Sequence, residues 1–157
     1  MEVYRISSLI YADRLTSSGR QNRWNVDGQE VIYAGSSRAL SSLEVLVHQN
    51  FIRPAFVQKV AVIHLPDEAD YYKVILKKQL PAEYKWRFNA AYPELQRIGS
   101  DWYNAKETLI LKVPSAVITS EYNYVINTQH PEFRSKVKIV DVEDFFWDDR
   151  LFPGKLQ

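Results

Sequence analysis

Polar and apolar residues alternate over residues 2–6 (EVYRI), the two-residue period of a strand. Residues 8–14 suit a helical turn, ended by the polar segment from Thr16 to Arg20 around Gly19. Asp27-Gly28 signals a turn ahead of the β-rich run Glu30 to Ala34. Ser36 or Ser37 then offers an N-cap for a helix from about Arg38 to Gln49. Leu40, Leu43 and Val47 recur at i, i+3 and i+7 and predict its buried stripe. Phe56 to Leu65 reads as a strand, largely buried from Val60 to Ile63, closed by Pro66 and followed by a turn over Asp67 to Asp70.

Residues 70–90 show no decided period, and Pro81 starts a short helix at best. Pro93 suits the first turn of a helix running to about Tyr103. Thr108 to Val113 predicts a strand, broken by Pro114 and resuming over Ala116 to Thr119. A last strand falls on Val137 to Val142, before an aromatic and acidic tail from Phe145 to Leu151. Strands outnumber helices without alternating regularly with them, so the pattern predicts an α+β fold and not a doubly wound sheet. No repeat, low-complexity stretch or linker divides the 157 residues, and one domain over 1–157 is expected.

Charge narrows the functions. The net charge is +1 with the signs interspersed, and the pI is about 7.9. A basic stripe of the kind that tracks nucleic acid is missing, so direct nucleic-acid binding is disfavoured. There is no cysteine, and the 3 His (His48, His64, His130) lack metal-ligand spacing, so no metal site is expected. The N-terminus does not read as a signal peptide, and no apolar run reaches the ~20 residues of a membrane span. The expected compartment is the cytoplasm.

The candidate chemistry lies between Arg23 and Glu44. At ~100° per residue, Glu44 falls about 40° from Leu40, on the shoulder of the predicted stripe. An unpaired buried carboxylate costs several kcal/mol, so Glu44 needs donors or a cation. Arg23 is the natural partner, and the pair either locks loop to helix or serves chemistry. Arg23-Trp24-Asn25 sets a guanidinium suited to phosphate or carboxylate beside an indole able to stack on a flat ring. Tyr33 shares a strand face with Val31, opposite Ile32 and Ala34, which alone is ordinary sheet packing. Ser115 follows the proline break. Without a triad it is a weak nucleophile, better suited to hydrogen bonding a ligand or Glu44. Asn123, Asn127 and His130 read as turn-forming or capping.

These segments, in order, resemble the RES domain family, the toxin half of RES–Xre toxin–antitoxin modules. The matching pieces are VYRI at 3–6, RWN at 23–25 with Gly28, VIYA at 31–34 and LEVLVH at 43–48. They continue with LPAEY at 80–84, IGSDW at 98–102, LKVPSAVI at 111–118, NYVIN and HPEF within 123–133, and DDRLF at 148–152. The family usually has two glycines before RWN, where this chain has Gln21-Asn22, and Asn-Pro where it has Asn127-Thr128.

The resemblance implies an ADP-ribosyltransferase-like (diphtheria-toxin-like) mixed sheet and an NAD-consuming enzyme, with NAD as substrate and no true cofactor. It implies Glu44, Arg23, Tyr33 and Ser115 as active-site residues, and Arg5, Trp24 and Asn127 as candidates for holding NAD. The implied reaction is glycohydrolysis or phosphorolysis of the nicotinamide–ribose bond. Transfer of ADP-ribose to a protein is the near alternative, and a non-catalytic nucleotide-binding module the alternative from another class. The implied partner is an Xre-type antitoxin, with room for a homodimer inside the toxin–antitoxin complex.

Overall fold

The computed structural model describes residues 1–81 and 85–152. Seven strands form one mixed sheet: β1 (Glu2–Ser8), β2 (Val31–Gly35), β3 (Gln58–His64), β4 (Tyr72–Val74), β5 (Ile110–Pro114), β6 (Tyr122–Asn127) and β7 (Lys138–Phe145). Their spatial order is β4-β5-β6-β2-β1-β3-β7. Among the described residues, only the short edge pair β4–β5 is parallel. Two helices matter for the site, α1 (Arg38–His48) and α2 (Tyr92–Ala105). The α+β architecture expected from the sequence is what forms.

β2 and the stretch Val60 to Ile63 of β3 read as continuous apolar runs because both faces of the sheet are covered there. Ile32, Ala34, Ile110, Tyr124 and Ile126 join Val3, Ile63 and Leu65 in one buried cluster. Val31, Leu111, Val113 and Val125 join Trp24, Leu95 and Trp102 in the other, with Tyr33 packed against it. The predicted division of β2, Val31 and Tyr33 on one face and Ile32 and Ala34 on the other, therefore holds.

Three details of the predicted pattern are corrected. Ala116 to Thr119 is not a strand: the Ser115 hydroxyl accepts the N–H groups of Val117 and Ile118, both at 3.0 Å, and turns the chain. The strand that follows is β6, in the Asn- and Tyr-rich segment read as turns. The third correction concerns α1, whose buried residues are Leu40, Ser41 and Leu46, while Leu43 and Val47 are exposed. Gly35 explains the rotation. A Cβ there would lie 2.5 Å from Ser41 Oγ, so only glycine lets the helix settle onto the sheet at its serine. Ser41 Oγ then donates to the Tyr4 carbonyl at 2.8 Å, fixing helix to strand.

One join in the sheet is incomplete. β1 pairs with β3 from Glu2 to Ser8, and β2 pairs with β6 from Val31 to Gly35. β1 and β2 meet only at Tyr4 and Gly35. Beyond that point the two strands part, leaving facing edges that belong to neither ladder.

Candidate active site at the split between two strands

A cavity of about 280 Å³ occupies this split. Tyr4, Arg5 and Ile6 line one side and Val31 to Gly35 the other, so consecutive residues of each strand present backbone as well as side chains. The face of α1 carrying Ser41, Glu44, Val45 and His48 closes it, and Ser17, Ser18 and Asn22 contribute from the loop between β1 and β2. Glu44 lines the cavity from the edge of that face nearest the buried Leu40, the shoulder position expected from the sequence.

The Glu44 carboxylate is held through one oxygen. Oε1 accepts the Ser115 hydroxyl at 2.8 Å and the Asn123 side-chain amide at 2.6 Å. Among the described residues, Oε2 has no hydrogen-bond partner. Ser115 is fully buried, and its two lone pairs are taken by Val117 and Ile118 N–H, so its single proton goes to Glu44. A hydroxyl so engaged has no access to a substrate and serves as a fixed donor. Asn123 lines the cavity itself. Sequence reading took Asn123 for a turn residue. The available signal was its spacing two residues from Val125, which places both on the Tyr33 face of the sheet.

Arg23 does not pair with Glu44. Its guanidinium donates to the carbonyls of Trp86 at 2.7 Å and Arg87 at 3.0 Å, and lies 4.8 Å over the Tyr92 ring. These acceptors lie more than sixty residues away in sequence, and they satisfy the cation without a carboxylate. Trp24 is 2% exposed, within the second core cluster, so its indole is no stacking platform for a ligand. Asn25 is also buried and donates to the carbonyls of Arg20 and Val26. The RWN segment is the internal scaffold of its loop.

That scaffold fixes Tyr33. The phenol donates to Asn25 Oδ1 at 2.8 Å and accepts the Trp24 N–H at 3.1 Å, while the ring lines the cavity. Burial pushes its pKa well above the usual range, so the phenol stays neutral. The loop is held from outside by one stripe of α2. Gln96 donates to the Asn22 carbonyl, Gly99 abuts Trp24, Ser100 donates to Gln29, and Tyr103 Oη accepts the Glu30 N–H.

Arg5 is the guanidinium that lines the cavity. Nη1 donates to the carbonyls of Thr16 at 3.0 Å and Arg14 at 3.4 Å, and burial lowers its pKa from the ordinary arginine value. The remaining donors of the five-donor fork stay free of those contacts. Asn127 does not line the cavity, although it pairs across the sheet with Val31, which does. Fully buried, it donates to the Tyr103 carbonyl and accepts the Gln129 N–H, ending β6 as a turn residue. The structure thus brings Arg5, Tyr33, Glu44 and Ser115 to one place and leaves Arg23, Trp24 and Asn127 in the surrounding framework.

Fold and site together define a class: a mixed-sheet α+β domain with a pinned glutamate in the cleft where two strands separate. The chain is placed more narrowly by its sequence relatives. The RES domain model matches residues 2–148, and the chain belongs to the RES domain family. It is 37% identical to Toxin Res of Pseudomonas putida over 97% of this chain and 100% of that protein. It is 33% identical to the Prs ADP-ribosylating toxin of a Sphingobium species, over 89% of this chain and 88% of that one. A chain of the crystal structure of the M. tuberculosis MbcT–MbcA toxin–antitoxin complex matches with a TM-score of 0.70 at 16% identity. That match covers 92% of this chain and 83% of the other, and at this identity it speaks to the fold. The expectation of an ADP-ribosyltransferase-like mixed sheet stands with these matches.

Proposed function

We propose that this chain is the toxin of a toxin–antitoxin module and consumes NAD by breaking the bond between nicotinamide and ribose. The observation that carries the reading is Glu44, a carboxylate with one oxygen pinned by two neutral donors, in a cavity lined by Arg5 and Tyr33. Breaking that bond develops positive charge at the ribose anomeric carbon, as in glycoside cleavage. A pre-positioned carboxylate stabilises such charge without reorganising. The nicotinamide nitrogen is already cationic in NAD, so departure of the neutral ring requires no strong general acid.

Arg5 serves as the anion partner, its free donors suited to a pyrophosphate. Tyr33 shapes the wall beside the ring, and its neutral phenol acts through the loop it ties. Arg23 contributes by anchoring that loop. The names of the relatives support the toxin reading, and we assign an Xre-type antitoxin in the cytoplasm as the partner that covers the cleft. Water or phosphate is the favoured acceptor of the ADP-ribosyl group. One relative named as an ADP-ribosylating toxin favours a second reading in which the acceptor is a protein.

The deciding assay incubates the purified chain with NAD, with and without inorganic phosphate, and weighs the products. Free nicotinamide with ADP-ribose indicates water as acceptor, and a phosphorylated ADP-ribose indicates phosphate. Intact NAD after long incubation, with the chain folded, contradicts the glycohydrolase and phosphorylase readings. Labelled ADP-ribose appearing on protein when cell extract is added then supports transfer.

A further inference from the structure

We propose that Asn123 is a positioning residue for Glu44, and that its side-chain amide selects the carboxylate oxygen left for the substrate. This rests on the NAD-cleaving reading above. Asn123 stands on β6 directly opposite Gly35 of β2 and Val113 of β5. Gly35 has no side chain to fill the space beside it, and its bareness lets α1 approach through Ser41. Glu44 lies one turn beyond Ser41 on the same helix face. The glycine on one strand therefore permits the amide of the next strand to reach the helix at 2.6 Å.

The arrangement is asymmetric. Ser115 and Asn123 converge on the same oxygen, Oε1, from different strand ends. One donor alone leaves a carboxylate free to swing about that contact, whereas two donors to one oxygen fix the plane of the group. Oε2 is then the oxygen with no protein donor among the described residues, on a side chain that lines the cavity. An amide suits this task because it donates without carrying charge, so Glu44 keeps its full negative charge for the developing sugar cation. A lysine or arginine at the same place would neutralise it. Ser115 is buried behind the glutamate, while Asn123 belongs to the cavity wall, so Asn123 is the donor nearer the ligand space.

The test compares Asn123→Ala with Asn123→Asp in nicotinamide release, reading kcat and KM separately. Loss of one donor to a charged group is expected to lower kcat about 10- to 100-fold, with KM for NAD changing less than about threefold. The aspartate is the more telling variant. It keeps the shape of asparagine but sets a second carboxylate beside Glu44, so its kcat is expected to fall at least as far as that of the alanine variant. A merely structural asparagine predicts losses that follow the fall in Tm, with kcat per folded molecule unchanged. Folding of both variants is followed by thermal melting. An Asn123→Asp variant that turns over faster than Asn123→Ala, or an alanine variant within about threefold of wild-type kcat, overturns the proposal. Wild-type protein that releases no nicotinamide overturns the underlying reading and this proposal with it, an outcome distinct from an active wild type with active variants.

Discussion

Gly99 of α2 lies directly against the backbone of Trp24: a Cβ on Gly99 would fall 1.8 Å from the Trp24 carbonyl oxygen. No rotamer relieves such a contact, because both partners are backbone. Gly99→Ala is therefore expected to cost at least about 3 kcal/mol, at the upper end of overpacking substitutions. For a chain of this length that corresponds to a fall in Tm on the order of 6–12 °C. Calorimetry measures it. A shift below about 2 °C would mean that loop and helix separate easily, contrary to the clamp described above.

The two arginines separate by what they touch. Arg5 lines the cavity as well as holding the Thr16 and Arg14 carbonyls, so Arg5→Ala is expected to raise KM for NAD about tenfold or more, beyond any loss of Tm. Arg23 holds the carbonyls of Trp86 and Arg87, so Arg23→Ala is expected to lower Tm and speed proteolysis of the loop. Steady-state kinetics beside melting curves show which way each falls. Equal effects on KM with unchanged melting would return Arg23 to the ligand.

Ser115→Ala removes one hydroxyl with three tasks. Val117 and Ile118 N–H lose their acceptor and Glu44 loses a donor. Orphaned buried donors cost about 1–3 kcal/mol each, so stability falls together with turnover. Ser115→Thr keeps the hydroxyl chemistry, and partial recovery of both quantities is the expected result. A Ser115→Ala variant as stable as wild type would contradict the hydrogen bonding assigned to this side chain.

Tyr33 also leaves a mark on alkaline stability. Its folded pKa is raised by burial, so above pH 10 the unfolded chain releases the phenolic proton while the folded chain retains it. The contribution is fully present below pH 10 and is lost as pH rises toward the folded value. The slope is at most about 1.4 kcal/mol per pH unit for one such group. Tyr72, pushed up to about 12 chiefly by burial, acts in the same direction. Tyr33→Phe is expected to flatten this alkaline limb in denaturant titrations between pH 9 and 11. An unchanged slope would show that the phenol titrates freely in the folded protein.

How much of this was legible in the sequence follows from where each signal resides. Apolar and alternating runs, such as residues 2–6, 56–65 and 108–113, mark strands because burial on one or both faces writes itself into residue type. The face of α1 did not, because contact between Gly35 and Ser41 sets it. Small residues carry no hydrophobic signal, so Leu43 and Val47 suggested a stripe that the fold leaves outside. Glu44 was singled out because a carboxylate near a core face needs donors, and Ser115, read as bonding either a ligand or Glu44, is one of the donors it finds. Asn123 was missed because an asparagine in a Tyr-rich run looks like a turn. Arg23 was assigned to the nearest unpaired charge, whereas its acceptors are carbonyls brought close only by the fold. Residues 82–84 of the LPAEY piece lie outside the described residues.

The central claim is that the charge of Glu44 drives cleavage of NAD. Its most direct test is the rate of nicotinamide release by Glu44→Gln, which keeps the shape and the Oε1 acceptor while removing the charge. A drop of about two orders of magnitude or more, with Tm within a few degrees of wild type, is the predicted result. A variant that still turns over within about threefold of wild type would contradict the claim and make Glu44 a structural anchor between α1, Ser115 and Asn123.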